Sequence, residues 1–244
     1  MSAHDVTLFG DQVAADRLAA KFTGVDAPKL LRLAIEDLFP GRIALVSSFG
    51  ADSGVLLHMV SEIHKSLPVV FVDTLHLFPE TLAYRDAMIE RLGLTHVETV
   101  HPDKKALAEE DPEGFLWAKN PDRCCELRKV LPLAKALEGY EAWITGRKRF
   151  QAATRATLPL FEAEGERVKI NPLAGWTPSR LDAYYKEHDL PRHVLVKKNY
   201  LSIGCIPCTS PVKPGEDPRA GRWRGNGKVE CGIHVQTLDA GSDI

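Results

Sequence analysis

Apolar positions in this chain follow two alternating patterns. Short, largely apolar runs occur at Ile43-Ala44-Leu45-Val46, at Val69-Val70-Phe71-Val72, over 96–100 and at Ala142-Trp143-Ile144-Thr145. Each has the length of a strand and is bounded by polar or turn residues. Between them lie stretches with helical spacing. In 28–39 the residues Leu30, Leu31, Leu33, Ala34, Ile35 and Leu38 share roughly one face, and similar runs cover 55–64, 79–92 opened by Pro79, and 121–137. Apolar strands alternating with helices predict an α/β fold with a doubly wound, mainly parallel sheet covered on both faces. Residues 1–27 show no strong period and read as a loose arm or a short helix. After Gly146 the pattern changes: a polar segment reaches Arg155, a hairpin is predicted across Glu164-Gly165, and a helix over 179–188. From about 200 onward the chain is rich in Gly, Pro and Arg and has too few periodic apolar residues for a core of its own. That stretch is expected to pack over the sheet as a lid. The organisation expected is an N-terminal helical arm over 1–40, an α/β domain over 41–200 and a mobile C-terminal segment over 201–244.

Composition narrows the function classes. With 244 residues, 44% hydrophobic and 26% charged, the chain sits at globular averages. A net charge of −2 excludes a globally basic nucleic-acid binder or a polybasic membrane-surface protein, but not a local cationic pocket. No apolar run approaches the roughly 18 residues of a membrane span, and the start MSAHDVTLFG lacks the pattern of a secretory signal. A cytoplasmic protein is expected, with a homo-oligomer left open.

The five cysteines are Cys124, Cys125, Cys205, Cys208 and Cys231. An odd number without a secretory signal argues against a disulfide framework. Cys124 and Cys125 are adjacent, Cys205 and Cys208 form C-x2-C, and Cys231 stands alone, which makes four plus one the natural partition. Four thiolates suit zinc or an iron–sulfur cluster. Zinc knuckles usually space their ligands as C-x2–4-C, whereas a cluster spreads its ligand positions over several irons and can accept neighbouring cysteines. The cluster is preferred over zinc, with thiols that merely pack as the bland alternative.

Between the first predicted strand and the next helix lies Ser47-Ser48-Phe49-Gly50-Ala51-Asp52-Ser53-Gly54. In an open parallel sheet ligands bind beyond the carboxyl ends of the strands, where small residues and a helix N-terminus favour an anion. No G-K-[ST] follows, so this is not a Walker loop. The S-x-G-x-D-S motif resembles the PP-loop of adenylating pyrophosphatases and adenylyl-sulfate reductases. A Gly/Ser-rich connection that binds nothing is the alternative for this loop alone.

The loop is joined by Cys124-Cys125-Glu126-Leu127-Arg128-Lys129-Val130, Gly204-Cys205-Ile206-Pro207-Cys208, Glu216-Asp217-Pro218-Arg219-Ala220-Gly221-Arg222-Trp223 and Glu230-Cys231-Gly232-Ile233-His234. Together, and in this order over about 40–235, these elements resemble the assimilatory, thioredoxin-dependent adenylyl-sulfate (APS) reductases of the PAPS reductase family. The resemblance implies a 4Fe-4S cluster on Cys124, Cys125, Cys205 and Cys208, and a nucleophile, Cys231, on a mobile tail. It places Lys129 between cluster and substrate, Arg219 and Arg222 at the sulfate and phosphate, and Phe49 and Leu75 in segments lining the nucleotide pocket. The family's T-G-x-R-R-x-Q-S-x-x-T-R run reads here Thr145-Gly146-Arg147-Lys148-Arg149-Phe150-Gln151-Ala152-Ala153-Thr154-Arg155. Gly146, Arg147 and Arg149 match it; Lys148 stands for an arginine and Ala152 for a serine, and Lys is not equivalent to Arg at a bidentate anion contact.

The implied chemistry makes an electrostatic demand, because a thiolate attacking an anionic adenylyl sulfate needs a positive field. Arg128, Lys129, Arg147, Arg149, Arg219, Arg222, Arg224 and Lys228 lie in segments expected to converge, and His234 is placed to orient the Cys231 thiolate. Attack would expel AMP and leave a Cys231 S-sulfonate. With no sixth cysteine to resolve it, sulfite release would need an external dithiol, in the family reduced thioredoxin or a glutaredoxin-like donor. A PAPS reductase is the nearest alternative, followed by an ATP-dependent PP-loop thiolation enzyme. A non-catalytic metal-stabilised module is the third.

Overall fold

The computed structural model describes residues 12–234. The remainders of the expected arm (1–11) and of the C-terminal segment (235–244) lie outside the described residues. Helix α1 (Gln12–Lys21) and α2 (Ala27–Arg32), extended by a π-helical turn over Leu33–Leu38, precede β1 (Ile43–Val46). The alternating part continues through α3 (Ser53–Ser61), β2 (Val69–Val72), α4 (Pro79–Leu92) and β3 (Val97–Val100). Two short helices follow, α5 (Lys104–Glu110) and α6 (Leu116–Lys119). The cysteine-bearing helix comes next: α7 (Pro121–Cys125), a π-helical turn over Glu126–Val130, and α8 (Leu131–Ala136). Then come β4 (Ala142–Ile144), the hairpin of β5 (Phe161–Glu164) and β6 (Arg167–Ile170), and α9 (Pro178–Glu187).

The six strands form one sheet in the order β3-β2-β1-β4-β6-β5, parallel except for β5, which pairs antiparallel with β6. Strands β1 and β2 are apolar throughout because both faces are covered, which is why they read as unbroken runs. The arm does not stand apart. Ala15, Leu18, Phe22, Leu30 and Leu31 share one apolar core with Leu45 of β1 and Val168 of β6, and Phe22 packs on Phe161 at 5.8 Å. Helix α4 stops at Gly93, whose φ of 63° is the left-handed geometry that glycine adopts without a Cβ penalty. The helix predicted over 121–137 forms with its middle turn widened. Pro132 has no N–H to give the carbonyl four residues back, so the regular ladder is interrupted there. Helices α5 and α6, which no apolar stripe announces, bury no residue. No described helix is long and apolar enough to cross a membrane.

Sheet order positions the site. The chain leaves β1 toward β2 on one side and reaches β4 on the other, with Leu45 beside both Val69 and Ile144. The connections after β1 and β4 therefore diverge at a topological switch point, where open α/β sheets leave a crevice.

Candidate active site

The loop after β1 and the loop after β4 form facing walls of a cavity of about 230 Å³. Ser47, Ser48, Gly50, Ala51, Asp52 and Ser53 line it from one side, and Gly146, Arg147 and Lys148 from the other. Tyr185 of α9 braces the first loop from behind: the Gly54 N–H donates to its hydroxyl at 3.0 Å, and that hydroxyl donates to the Ala51 carbonyl at 3.3 Å. Lys148 is buried, and its Nζ lies 3.3 Å from Asp52 Oδ2, tying the two loops together. Burial lowers the pKa of Lys148, against the opposing pull of Asp52. Segments from the last quarter of the chain complete the walls, bringing Arg219, Arg222, Trp223, Cys231 and His234 to the same space.

Three of the sequence-derived binding residues do not line this cavity. Phe49 adopts a φ of 46°, which turns its ring into the core edge-on to Phe71 at 5.4 Å. Its backbone stays in the loop, with the N–H donating to Ser47 Oγ. Leu75 also has positive φ and leaves its side chain 54% exposed after β2, held there by its N–H on Asp73 Oδ1. Arg149 donates from Nε to the Leu158 carbonyl at 2.8 Å, closing its own loop.

The expected cationic set divides as well. Arg128 is buried and spends its guanidinium on Asp111 and on the Thr74 carbonyl, Arg224 pairs with Glu216, and Lys228 with Asp122. Of that set Lys129, Arg147, Arg219 and Arg222 line the cavity, where Lys148 and Arg155, which were not in it, join them. Arg147 is lashed to Glu162 and to Asn171 Oδ1. Arg222 lies against the open face of Gly204, where a Cβ would run into its guanidinium. Arg222 Nε and Arg219 Nε are buried and have no hydrogen-bond partner among the described residues. Such donors are the feature an anionic ligand would satisfy. Burial first, and then Arg155, hold Arg219 down to about 10.

The other four thiols line a second, small cavity beside the first. Cys124 and Cys125 end α7, which Asn120 caps through Oδ1, and Cys205 and Cys208 flank a 3₁₀ turn. The Ile206 N–H on the His76 carbonyl, at 2.8 Å, and a bridge between Leu77 and Cys205 pin that turn to the segment after β2. Burial, then Cys125, pushes Cys124 up to about 12, and burial pushes Cys125 up to about 11. Ionised sulfurs in such a nest require cationic centres among them, and four soft sulfurs are the donor set for thiophilic metals, so the residues fit an iron–sulfur group. No three His, Cys, Asp or Glu side chains among the described residues are gathered as ligands of a single ion.

Lys129 lines both cavities. Burial works against its charge, but the sulfurs of Cys205, Cys231 and Cys125 outweigh burial and raise its pKa. Cys231 is half-buried at the first cavity's wall, and the residues after it are docked: Ile233 packs on the cluster of Ala44, Val70 and Trp143, and the His234 ring stacks on Trp143 at 5.6 Å. Burial and then Arg147 hold His234 well below the ordinary histidine range, which leaves it neutral. Arg155, Glu230 and Trp143 also line the site, and no role was read for them from the sequence. The one available signal was a charged residue immediately before the lone cysteine.

The sequence profile described as the phosphoadenosine phosphosulfate reductase domain matches residues 42–211. The chain belongs to this family. A relative from Mesorhizobium japonicum named adenosine 5'-phosphosulfate reductase is 52% identical over 233 residues, covering 93% of this chain and 92% of that protein. Another of that name from Chelativorans sp. is 51% identical over 230 residues, covering 94% of each. Among solved structures, a phosphate complex of phosphoadenylyl-sulfate (PAPS) reductase from Candida auris superposes with a TM-score of 0.68 at 30% identity, covering 83% of this chain and 98% of that one. The mainly parallel sheet with its loop after β1 is thus the architecture of the family, and family membership makes the chain an oxidoreductase acting on sulfur.

Proposed function

We propose that the protein reduces adenosine 5'-phosphosulfate to sulfite and AMP through an S-sulfonate on Cys231. The observation that carries this reading is the placement of Cys231 in the wall of the cavity formed by residues 47–53, beside Lys129 and Arg222, while the other four cysteines line a separate cavity. In this reading 41–200 supplies the nucleotide platform, with the described part of the arm, 12–40, packed against it, and the segment from 201 brings the nucleophile. The Cys231 thiolate attacks the sulfonyl sulfur, the S–O bond to the phosphate breaks, and AMP leaves with the bonding pair. Lys129, Arg219 and Arg222 stabilise the transferring sulfonate and the departing phosphate. A thiolate of a dithiol donor such as thioredoxin then attacks Cys231 Sγ and expels sulfite. The second thiol resolves the mixed disulfide, so the donor is oxidised by two electrons as sulfur is reduced by two. Cys124, Cys125, Cys205 and Cys208 would hold a 4Fe-4S cluster, which when bound supplies fixed charge and a cross-link between α7 and the 205–208 turn. Five unpaired thiols belong with a reducing, cytoplasmic setting.

The alternative substrate is PAPS, because the solved relative at 30% identity is named for it. The relatives at 52% and 51% are named for APS. Incubating the holoenzyme with sulfur-labelled APS or PAPS and no thiol should trap about one label per chain from APS, released as sulfite by a dithiol. Label retained by Cys231→Ser would place the nucleophile elsewhere, and stronger trapping from PAPS would reverse the substrate assignment.

A further inference from the structure

The segment that leads into Cys231 has little apolar packing. Val229 is 59% exposed, and a Cβ placed on Gly225 or Gly227 would touch nothing within 4 Å. Downstream of Cys231 the chain is held by Ile233 and His234 on Trp143, but upstream what fixes this stretch beside the cavity is charge. Glu230 Oε1 accepts from Arg155 Nε at 2.8 Å, and Oε2 accepts from the second arm of the same guanidinium at 2.9 Å and from Arg219 at 3.0 Å. Arg219 also donates to the Val229 carbonyl at 2.9 Å, and Arg155 is held in aim by Gln151 Oε1 at 2.8 Å. All three charged side chains are mostly buried, at 10% exposure for Arg155, 13% for Arg219 and 16% for Glu230. Such charge-assisted, bidentate contacts are the strong kind, and Arg supplies the fork geometry that Lys lacks.

We propose that Glu230 is a latch for the nucleophile: its carboxylate, shared between Arg155 and Arg219, holds Cys231 at the cavity for attack and must let go for the S-sulfonate to meet an external dithiol. The proposal rests on the reading of Cys231 as nucleophile. It makes Glu230 a positioning residue, acting through the backbone of its neighbour. Ionic anchoring suits the upstream side of Cys231 because an exposed carboxylate and two exposed guanidiniums are well solvated, so that side can open while Ile233 and His234 stay packed on Trp143. It also changes the role of Arg219. With the latch closed, Arg219 faces Glu230, which leaves Lys129 and Arg222 as the cations free to face the substrate's sulfonate.

The test reads latch position and chemistry separately in the iron-loaded enzyme. Cys231 alkylation by iodoacetamide is followed by mass spectrometry on the peptide that carries it, and S-sulfonate formation from labelled APS is followed in a single turnover. Glu230→Gln should speed alkylation and slow S-sulfonate formation by about tenfold or more each. Iron content should stay as in wild type and the melting temperature should fall only slightly, since opening is local, and dithiol release of sulfite from preformed S-sulfonate should be no slower. Arg155→Lys, which keeps the charge and loses the fork, should shift both readouts in the same direction. The double variant should exceed the larger single effect only slightly, since both changes open one latch. Unchanged alkylation in both variants, or a release step slowed as much as the attack step, would overturn the latch. Failure of the nucleophile reading shows up differently, as label retained by Cys231→Ser, and the alkylation result stands apart from it. Should Glu230→Gln fail to fold, Arg155→Lys decides alone.

Discussion

Lys129→Met removes one charge while keeping the length and apolar stem of the side chain. Lys129 is 8% exposed and stands between the two cavities, within the field of Cys205 and Cys231. An ammonium buried this deeply is tolerated because the sulfurs of Cys205, Cys231 and Cys125 face it, and a sulfonate passing between them would depend on it in turn. Removing a single preorganised stabilising donor from an active site costs about 2.7–4 kcal/mol, or roughly 100- to 1000-fold in rate. Arg222 remains beside the gap, so a loss near the lower end, about 100-fold in S-sulfonate formation, is expected. The four thiols proposed as ligands are untouched, so iron content should be nearly unchanged. Thermal stability should fall, because the sulfurs that raise the Lys129 pKa lose their counter-charge while only one partner of the pair has been replaced. Single-turnover labelling with APS, normalised to iron per chain, is the assay. A wild-type rate with full iron would refute the electrostatic role. A rate loss matched by iron loss would show that Lys129 supports the four-cysteine cavity and not the chemistry.

Two further outcomes can be checked on the same preparations. His193 is fully buried, its Nδ1 accepting from the Leu195 N–H at 3.2 Å and its Nε2 donating to Thr81 Oγ1 at 3.1 Å, and burial holds its pKa down to about 4. The unfolded chain takes up this proton below about pH 6.5 and the folded one does not, so stability is full above that value and falls toward pH 4 by on the order of 3 kcal/mol; denaturant unfolding of wild type and His193→Gln at both ends of the window checks this, and equal pH dependence would count against it. Cys205→Ser should lose iron, visible absorbance and turnover together, from about four irons per chain in wild type, as metal analysis would show; full iron in the variant would remove Cys205 from the ligand set.

Much of the fold is legible in the order of residues. The stretches 43–46, 69–72 and 79–92 coincide with β1, β2 and α4, because strands buried on both faces and a Pro-started helix leave continuous local signals. The hairpin at Glu164-Gly165 forms as predicted. The cysteine pairs and the small-residue loop after β1 were also visible, since their chemistry resides in adjacent residues. Helices α5 and α6 were not, because a helix that buries nothing carries no apolar stripe.

The sequence by itself determined the alternation of strands and helices, the four-plus-one cysteines and the small-residue loop after β1. Tertiary structure decided which way each side chain of that machinery faces. Two positive-φ residues take the Phe49 ring into the core and the Leu75 side chain toward solvent, and sheet order makes the loops after β1 and β4 into facing walls. Arg128 and Lys129 are neighbours in the chain, yet one serves Asp111 and the other faces two sets of sulfurs. Arg155 and Glu230 lie 75 residues apart and meet in a bidentate pair. Periodicity and capping are local properties that any short window of sequence displays. The partner of a buried charge is set by which segments the switch point brings together, and no local window contains it.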